Sequence, residues 1–224
     1  MQVQKKQHGV ITYYQKGTDP KLLIHTGTHG DEFSVIEPTK NYILKNADTL
    51  PDFIFVPEVS PTAVAQKSRK NKQGIDINRS FFEGSDNAEV TDNMELIKDF
   101  NFDICISIHE DYEFPSFYMY DSGNLQSAVW QVFVEKLNLV GMQTYTGFDD
   151  LSDPALGYEF KNGYPAFDDA VAENNSGCFS NHFISRSKSR RFLMPEVPTQ
   201  CSKEVKEKVI ALLFTDLLPL VNKT

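Results

Sequence analysis

The segment His29-Gly-Asp-Glu32 sets an imidazole and a carboxylate three residues apart, and far downstream His109 opens a polar stretch, His109-Glu110-Asp111. Each has an ordinary explanation by itself: His-x-x-Glu suits a turn or a helix cap, and a lone histidine suits a satisfied core position. Together they make two histidines and one glutamate, the usual content of a catalytic zinc site that keeps its fourth position for water. The chemistry of such a set is hydrolysis by metal-activated water. His25 lies four residues before His29, an offset that within a strand runs along the element rather than across it, so a structural role is expected. His8 and His182 stand without companion ligands and read as ordinary polar positions.

Positioning these groups requires strands that end where they begin. Short apolar runs rich in β-branched and aromatic residues, at 22–26, 53–56, 102–108, 116–120 and 192–197, read as strands buried on both faces. Between them lie stretches with helical spacing. The clearest is 124–138, where Leu125, Val129, Val132, Phe133 and Leu137 form one apolar stripe. Residues 202–218 form another, with Ser202 as N-cap and Val205, Val209, Leu212, Leu213 and Phe214 facing inward. Less regular helices are expected over 32–46 and 91–100. Strands alternating with helices predict an α/β fold, a three-layer α/β/α arrangement on a mixed, largely parallel sheet, whose ligands bind beyond the carboxyl ends of the strands. Both halves of the metal set follow such a strand. Gly27 and Gly30 are expected to let the first turn bend sharply and to leave room for an ion.

Between the metal segments the chain reads Arg69-Lys-Asn71 and then Gly74-Ile-Asp-Ile-Asn-Arg-Ser-Phe81. His-Gly-Asp-Glu, Arg-Lys-Asn, Gly-Ile-Asp-Ile-Asn-Arg-x-Phe and a strand-terminal histidine, in this order, resemble the zinc carboxypeptidase family related to carboxypeptidase A. That family includes small bacterial murein peptide amidases, which cleave beside a diaminopimelate residue. The match covers residues 26–109, resumes near Glu196 and is loose between. The resemblance implies one Zn²⁺ per chain on His29, Glu32 and His109. It implies that Asn78 and Arg79 grip the free carboxylate of a substrate, a task suited to the planar guanidinium fork. Arg69 matches the arginine that steadies the oxyanion. Asp76 matches a carboxylate that accepts the free ring N–H of a ligand histidine, His29. Glu196, delivered by Phe192-Leu-Met-Pro-Glu196, matches the general base that moves a proton from zinc-activated water to the leaving nitrogen.

The family also places a tyrosine over the substrate, upstream of the catalytic glutamate. Here that region reads Glu173-Asn-Asn-Ser-Gly-Cys-Phe179 and holds no tyrosine; Tyr164, on a different loop, is the candidate replacement. Three functions follow from the resemblance. The first is a metallocarboxypeptidase or amidase that cuts an amide bond next to a free carboxylate. The second is an N-acyl amino acid deacylase of the aspartoacylase and succinylglutamate desuccinylase type, which commonly carries an added β-rich domain after the glutamate. The third is a carboxylate-binding module without catalysis. Expected partners are accordingly peptides or N-acyl amino acids with a free carboxylate.

Composition bounds the remaining choices. With 224 residues, no internal repeat and no Pro/Gly/Ser linker, a single domain over 1–224 is expected. Apolar residues make up 40% of the chain, yet no run approaches the ~18 needed to cross a bilayer. Charge follows Met1 but no apolar stretch does, so no secretory signal is read and the cytoplasm is expected. The formal charge of −9 opposes phosphate backbones, and nucleic acid is not an expected partner. Basic runs at 67–72 and 186–191 read as loop charge, the first also carrying Arg69. Cys105, Cys178 and Cys201 are odd in number and widely spaced, which indicates neither a disulfide framework nor a thiolate zinc site.

Overall fold

The structure, a computed structural model, describes residues 2–151, 157–165, 178 and 189–221. Strands β1 (Gln4–His8) and β2 (Ile11–Lys16) form a hairpin, followed by β3 (Leu22–His25). A 3₁₀ turn, Phe33–Val35, leads into α1 (Ile36–Lys45); then come β4 (Phe53–Val56) and α2 (Pro61–Gln66). A second 3₁₀ turn, Ile77–Arg79, precedes α3 (Ala88–Ile97), β5 (Phe102–Ser107), β6 (His109–Asp111), β7 (Tyr118–Asp121) and α4 (Ser127–Leu139). The short strands β8 (Gly147–Phe148), β9 (Glu159–Lys161) and β10 (Tyr164–Pro165) make a separate antiparallel sheet. Strand β11 (Ser189–Pro198) precedes a carboxy-terminal helix, Lys203–Leu212, which continues through a π-type turn, Leu213–Leu217.

The main sheet is mixed and largely parallel. Strand β3 lies between β4 and β5, parallel to both, and β11 is parallel to β5 and β6. Antiparallel pairs close the margins, β1 with β2, β2 with β4, and β7 with β11. Leu193 has a partner on each side, Ile106 and Asp121, so β11 runs between β5 and β7. Alternate side chains serve opposite layers. Leu22, Ile24, Phe53, Phe55, Ile104 and Ile106 pack with Ile43 of α1, Phe133 of α4 and Val209 of the last helix. Leu23, Ile54, Val56, Cys105 and Phe192 pack with Val90, Leu96 and Ile97 of α3. This is the three-layer α/β/α arrangement expected from the sequence. Among the described residues, no helix is long and apolar enough to cross a membrane.

Several boundaries differ from the sequence expectation for identifiable reasons. The strand expected over 102–108 pauses at Ile108, whose amide donates to the His25 carbonyl at 2.9 Å, and resumes as β6. The helix expected over 91–100 begins earlier, because the Asn87 side chain accepts from the Glu89 amide at 3.0 Å and caps it. The helix expected over 124–138 begins at Ser127; Leu125 is buried but gives its amide to the Tyr164 hydroxyl at 2.9 Å. Ser202 caps the last helix as expected, accepting from Val205 N at 3.3 Å.

Candidate metal centre

His29 and Glu32 occupy the turn after β3, and His109 opens β6, so two carboxyl-terminal strand ends meet at one place. One donor atom from each of the three lies within 4.8 Å of the other two, and all three residues are buried. The Nδ1 atoms of both histidines face one carboxylate: His29 Nδ1 stands 2.5 Å from Glu32 Oε1, and His109 Nδ1 stands 2.8 Å from Glu32 Oε2. The far ring nitrogens point to supports, His29 Nε2 lying 3.3 Å from Asp76 Oδ1 and His109 Nε2 lying 3.1 Å from Ser107 Oγ. Burial alone would lower the pKa of His29; the Glu32 charge and the hydrogen bonds of Asp76 and Glu32 override it and raise the imidazole to about 9. Burial likewise opposes a charged Glu32, but the two imidazoles hold its carboxyl well below the usual range. A buried carboxylate that draws positive charge from both sides, together with two nitrogen donors and one oxygen donor, fits a divalent cation such as Zn²⁺.

Gly27 provides the expected sharp bend, whereas Gly30 serves a different purpose from the one the sequence suggested. Gly27 adopts φ +60°, a conformation that favours glycine. A Cβ on Gly30 would lie 1.8 Å from the Ala63 carbonyl oxygen, and Gly30 N donates to Ser68 O at 2.9 Å. The missing side chain therefore makes room for the neighbouring chain segment, the one that carries Arg69, and not for an ion.

Asp76 joins that segment to the centre. Its carboxylate faces His29 Nε2, accepts from Arg69 Nε at 3.0 Å and accepts from the Asn78 amide at 3.0 Å. Burial would raise Asp76, yet the His29 hydrogen bond and charge, aided by Arg69 and Arg79, hold it well below the ordinary range. Arg69 is half exposed, Asn78 is buried, and Arg79 Nη1 donates to its neighbour's carbonyl, Asn78 O, and to Cys178 Sγ, each at 3.2 Å. Asn71 pins the loop: its Oδ1 accepts from Gln73 N and Ile75 N, and its Nδ2 donates to buried Glu89 of α3.

Glu196 stands opposite His109 in the parallel pairing of β11 with β6, and opposite Tyr118 in the antiparallel pairing with β7. Register partners share a face, so His109, Glu196 and Tyr118 form a row on the α3 side of the sheet. Burial first, then the charges of Glu32 and Asp111, push the Glu196 carboxyl well above its ordinary value. The sequence reading passed over Tyr118, whose hydroxyl donates to Asp111; its strand was expected, but its place beside Glu196 follows only from pairing across the sheet.

Tyr164, the candidate for covering a substrate, has its hydroxyl committed elsewhere. It donates to Asp121 Oδ2 at 2.6 Å and accepts from Leu125 N, with its ring against Trp130, and Arg191 holds the same Asp121 through two hydrogen bonds. His25 is buried in β3 beside Ser107 and is not one of the clustered donors. His182, and apart from Cys178 the segment 173–179, lie outside the described residues.

No protein-family model matches the chain, and no curated protein matches it. Solved structures do. A Shewanella baltica protein provisionally described as a metallopeptidase superposes with a TM-score of 0.73 at 22% identity, over 96% of this chain and 86% of that one. A metallo-carboxypeptidase from Burkholderia cenocepacia gives 0.69 at 16% identity, over 99% of this chain and 65% of that one. Murein-tripeptide amidase from Escherichia coli O157 gives 0.58 at 15% identity, over 95% and 90%. The fold is therefore that of the metallo-carboxypeptidases.

Proposed function

We propose that this chain is a zinc-dependent hydrolase that cuts a peptide or peptide-like amide bond next to a free carboxylate. The observation that carries the reading is the buried convergence of His29, Glu32 and His109, with Glu196 in the adjoining register position. Zinc held there would polarise the scissile carbonyl and lower the pKa of a water to about 7. Glu196, beside His109 in the sheet register, would serve as the general base that moves a proton from the attacking water to the departing nitrogen. Arg69, oriented through Nε by Asp76, presents its remaining N–H groups to the oxygen on which negative charge develops. Asn78 and Arg79 bind the carboxylate beside the scissile bond. Asp76, facing His29 Nε2, would keep His29 in the tautomer that leaves Nδ1 free to hold the metal.

The test is zinc content and turnover of the purified chain on carboxyl-terminal peptides, murein-type peptides and N-acyl amino acids. Glu196→Gln is expected to keep its zinc and lose about 10²- to 10⁴-fold in kcat. Full activity in that variant ends the mechanism, and preference for N-acetylaspartate or N-succinylglutamate over peptides makes the protein a deacylase.

A further inference from the structure

Beside the ligand set lies a second buried charged group that the proposed reaction does not use. Glu110, next to His109, has its side chain 1% exposed, and Lys206 of the carboxy-terminal helix has its side chain 4% exposed, with Nζ on Glu110 Oε1. The same Nζ donates to Ser34 Oγ, which in turn donates to Glu110 Oε1 at 2.5 Å. Glu110 Oε2 accepts from two backbone amides, Ser34 N at 2.7 Å and Val35 N at 3.2 Å, in the turn that follows Glu32. The backbone of Glu110 completes the circuit, its N–H donating to Glu32 Oε2 at 3.3 Å. One residue thus holds the turn that carries one ligand, touches that ligand's carboxylate and adjoins a second ligand in the chain. Buried ion pairs are a weak source of stability, since apolar residues of similar size do as well. Their value is geometric, in holding groups whose positions must be exact to a fraction of an ångström.

We infer that Glu110 and Lys206 are a positioning pair that fixes Glu32 relative to His109, so that the last helix sets the affinity and geometry of the metal centre. This rests on the zinc-site reading above. Lys206 anchors the Glu110 carboxylate, the carboxylate locks the Phe33–Val35 turn, and the turn fixes Glu32 against β6.

Charge-neutral removal separates this role from plain stabilisation. Glu110→Gln/Lys206→Met discards both charges together and leaves a carbonyl to accept from Ser34 N and Val35 N. The readouts are zinc affinity by chelator competition and the visible spectrum of the cobalt-substituted protein at saturating metal. The double variant is expected to fold, to bind zinc about 10- to 100-fold more weakly, and to shift the cobalt bands even when fully loaded. If it does not fold, Ser34→Ala, which removes only the bridging hydroxyl of an exposed residue, carries the same expectation at the lower end of that range. A folded variant with parental zinc affinity and an unchanged cobalt spectrum overturns the inference and leaves the metal site standing. A parent protein that binds neither metal overturns both.

Discussion

Gly30→Ala tests whether the turn bearing His29 is held by close backbone packing. The added Cβ would sit 1.8 Å from Ala63 O, 1.9 Å from Ala63 C and 2.4 Å from Val64 N, all main-chain atoms that no rotamer change can move aside. Restoring ordinary contact at about 3.5 Å requires the two segments to part by more than ~1 Å. Overpacking of this kind costs about 1–3 kcal/mol, and rigid backbone neighbours place it near the upper figure. At about 2–4 °C per kcal/mol for a chain of this length, Tm should fall by about 6–12 °C. Because the turn carries His29 and the opposed segment leads to Arg69, the same displacement moves His29 and Arg69 apart. Misplacement of about 1 Å costs on the order of 10²-fold in turnover. Gly74→Ala is the control: it has φ +76° and nothing within 4 Å, so it should lower Tm through backbone strain alone and leave zinc affinity intact. Calorimetry and chelator competition on both variants decide the matter. Parental Tm and parental zinc binding in Gly30→Ala would refute the account of the turn.

Tyr164→Phe should lose about 1–3 kcal/mol of stability, because Leu125 N and Asp121 lose a partner, while kcat and KM on peptides stay the same. Lost turnover at unchanged Tm would return Tyr164 to the substrate. His25 gives a pH signature: burial, then the nearby charge of His109, lowers its pKa to about 3, whereas the unfolded chain protonates near 6.5. The unfolded state therefore gains a proton that the folded state refuses as pH falls below about 6.5. Stability should drop by up to ~1.4 kcal/mol per pH unit from this group. Tm measured between pH 7 and 5 should decline less steeply in His25→Asn than in the parent, and equal slopes would show that His25 protonates in place.

What could be read from the sequence depended on whether a residue's surroundings are local. Strands β3, β4 and β5 announce themselves because they are largely buried on both faces and so carry runs of apolar residues, at 22–24, 53–56 and 104–106. The β1–β2 hairpin was missed because Gln-Lys-Lys-Gln-His is an almost wholly polar edge strand, although Gly9 at φ +53°, in the two-residue turn joining His8 to Ile11, was a usable signal. At the centre, His29, Glu32 and His109 were recognisable because each follows a strand end. Glu110 and Lys206 carried no such mark. A charged residue in a loop or on a helix is ordinary, and only the folded chain shows that these two are buried against each other.

Strands β5 and β6 meet β11 in one unbroken register despite the pause at Ile108, and that continuity bears on how the chain can vary. Glu196 faces the metal side only because an odd or even place along β11 decides which layer a side chain enters. Gain or loss of one residue between Ser189 and Pro195 would trade Glu196 for a proline or a valine at the His109 position and turn the carboxylate toward the opposite layer. An insertion inside β11 would thus put the whole strand out of phase with β5 and β6, whereas one beyond its ends would leave the His109–Glu196 pairing in place.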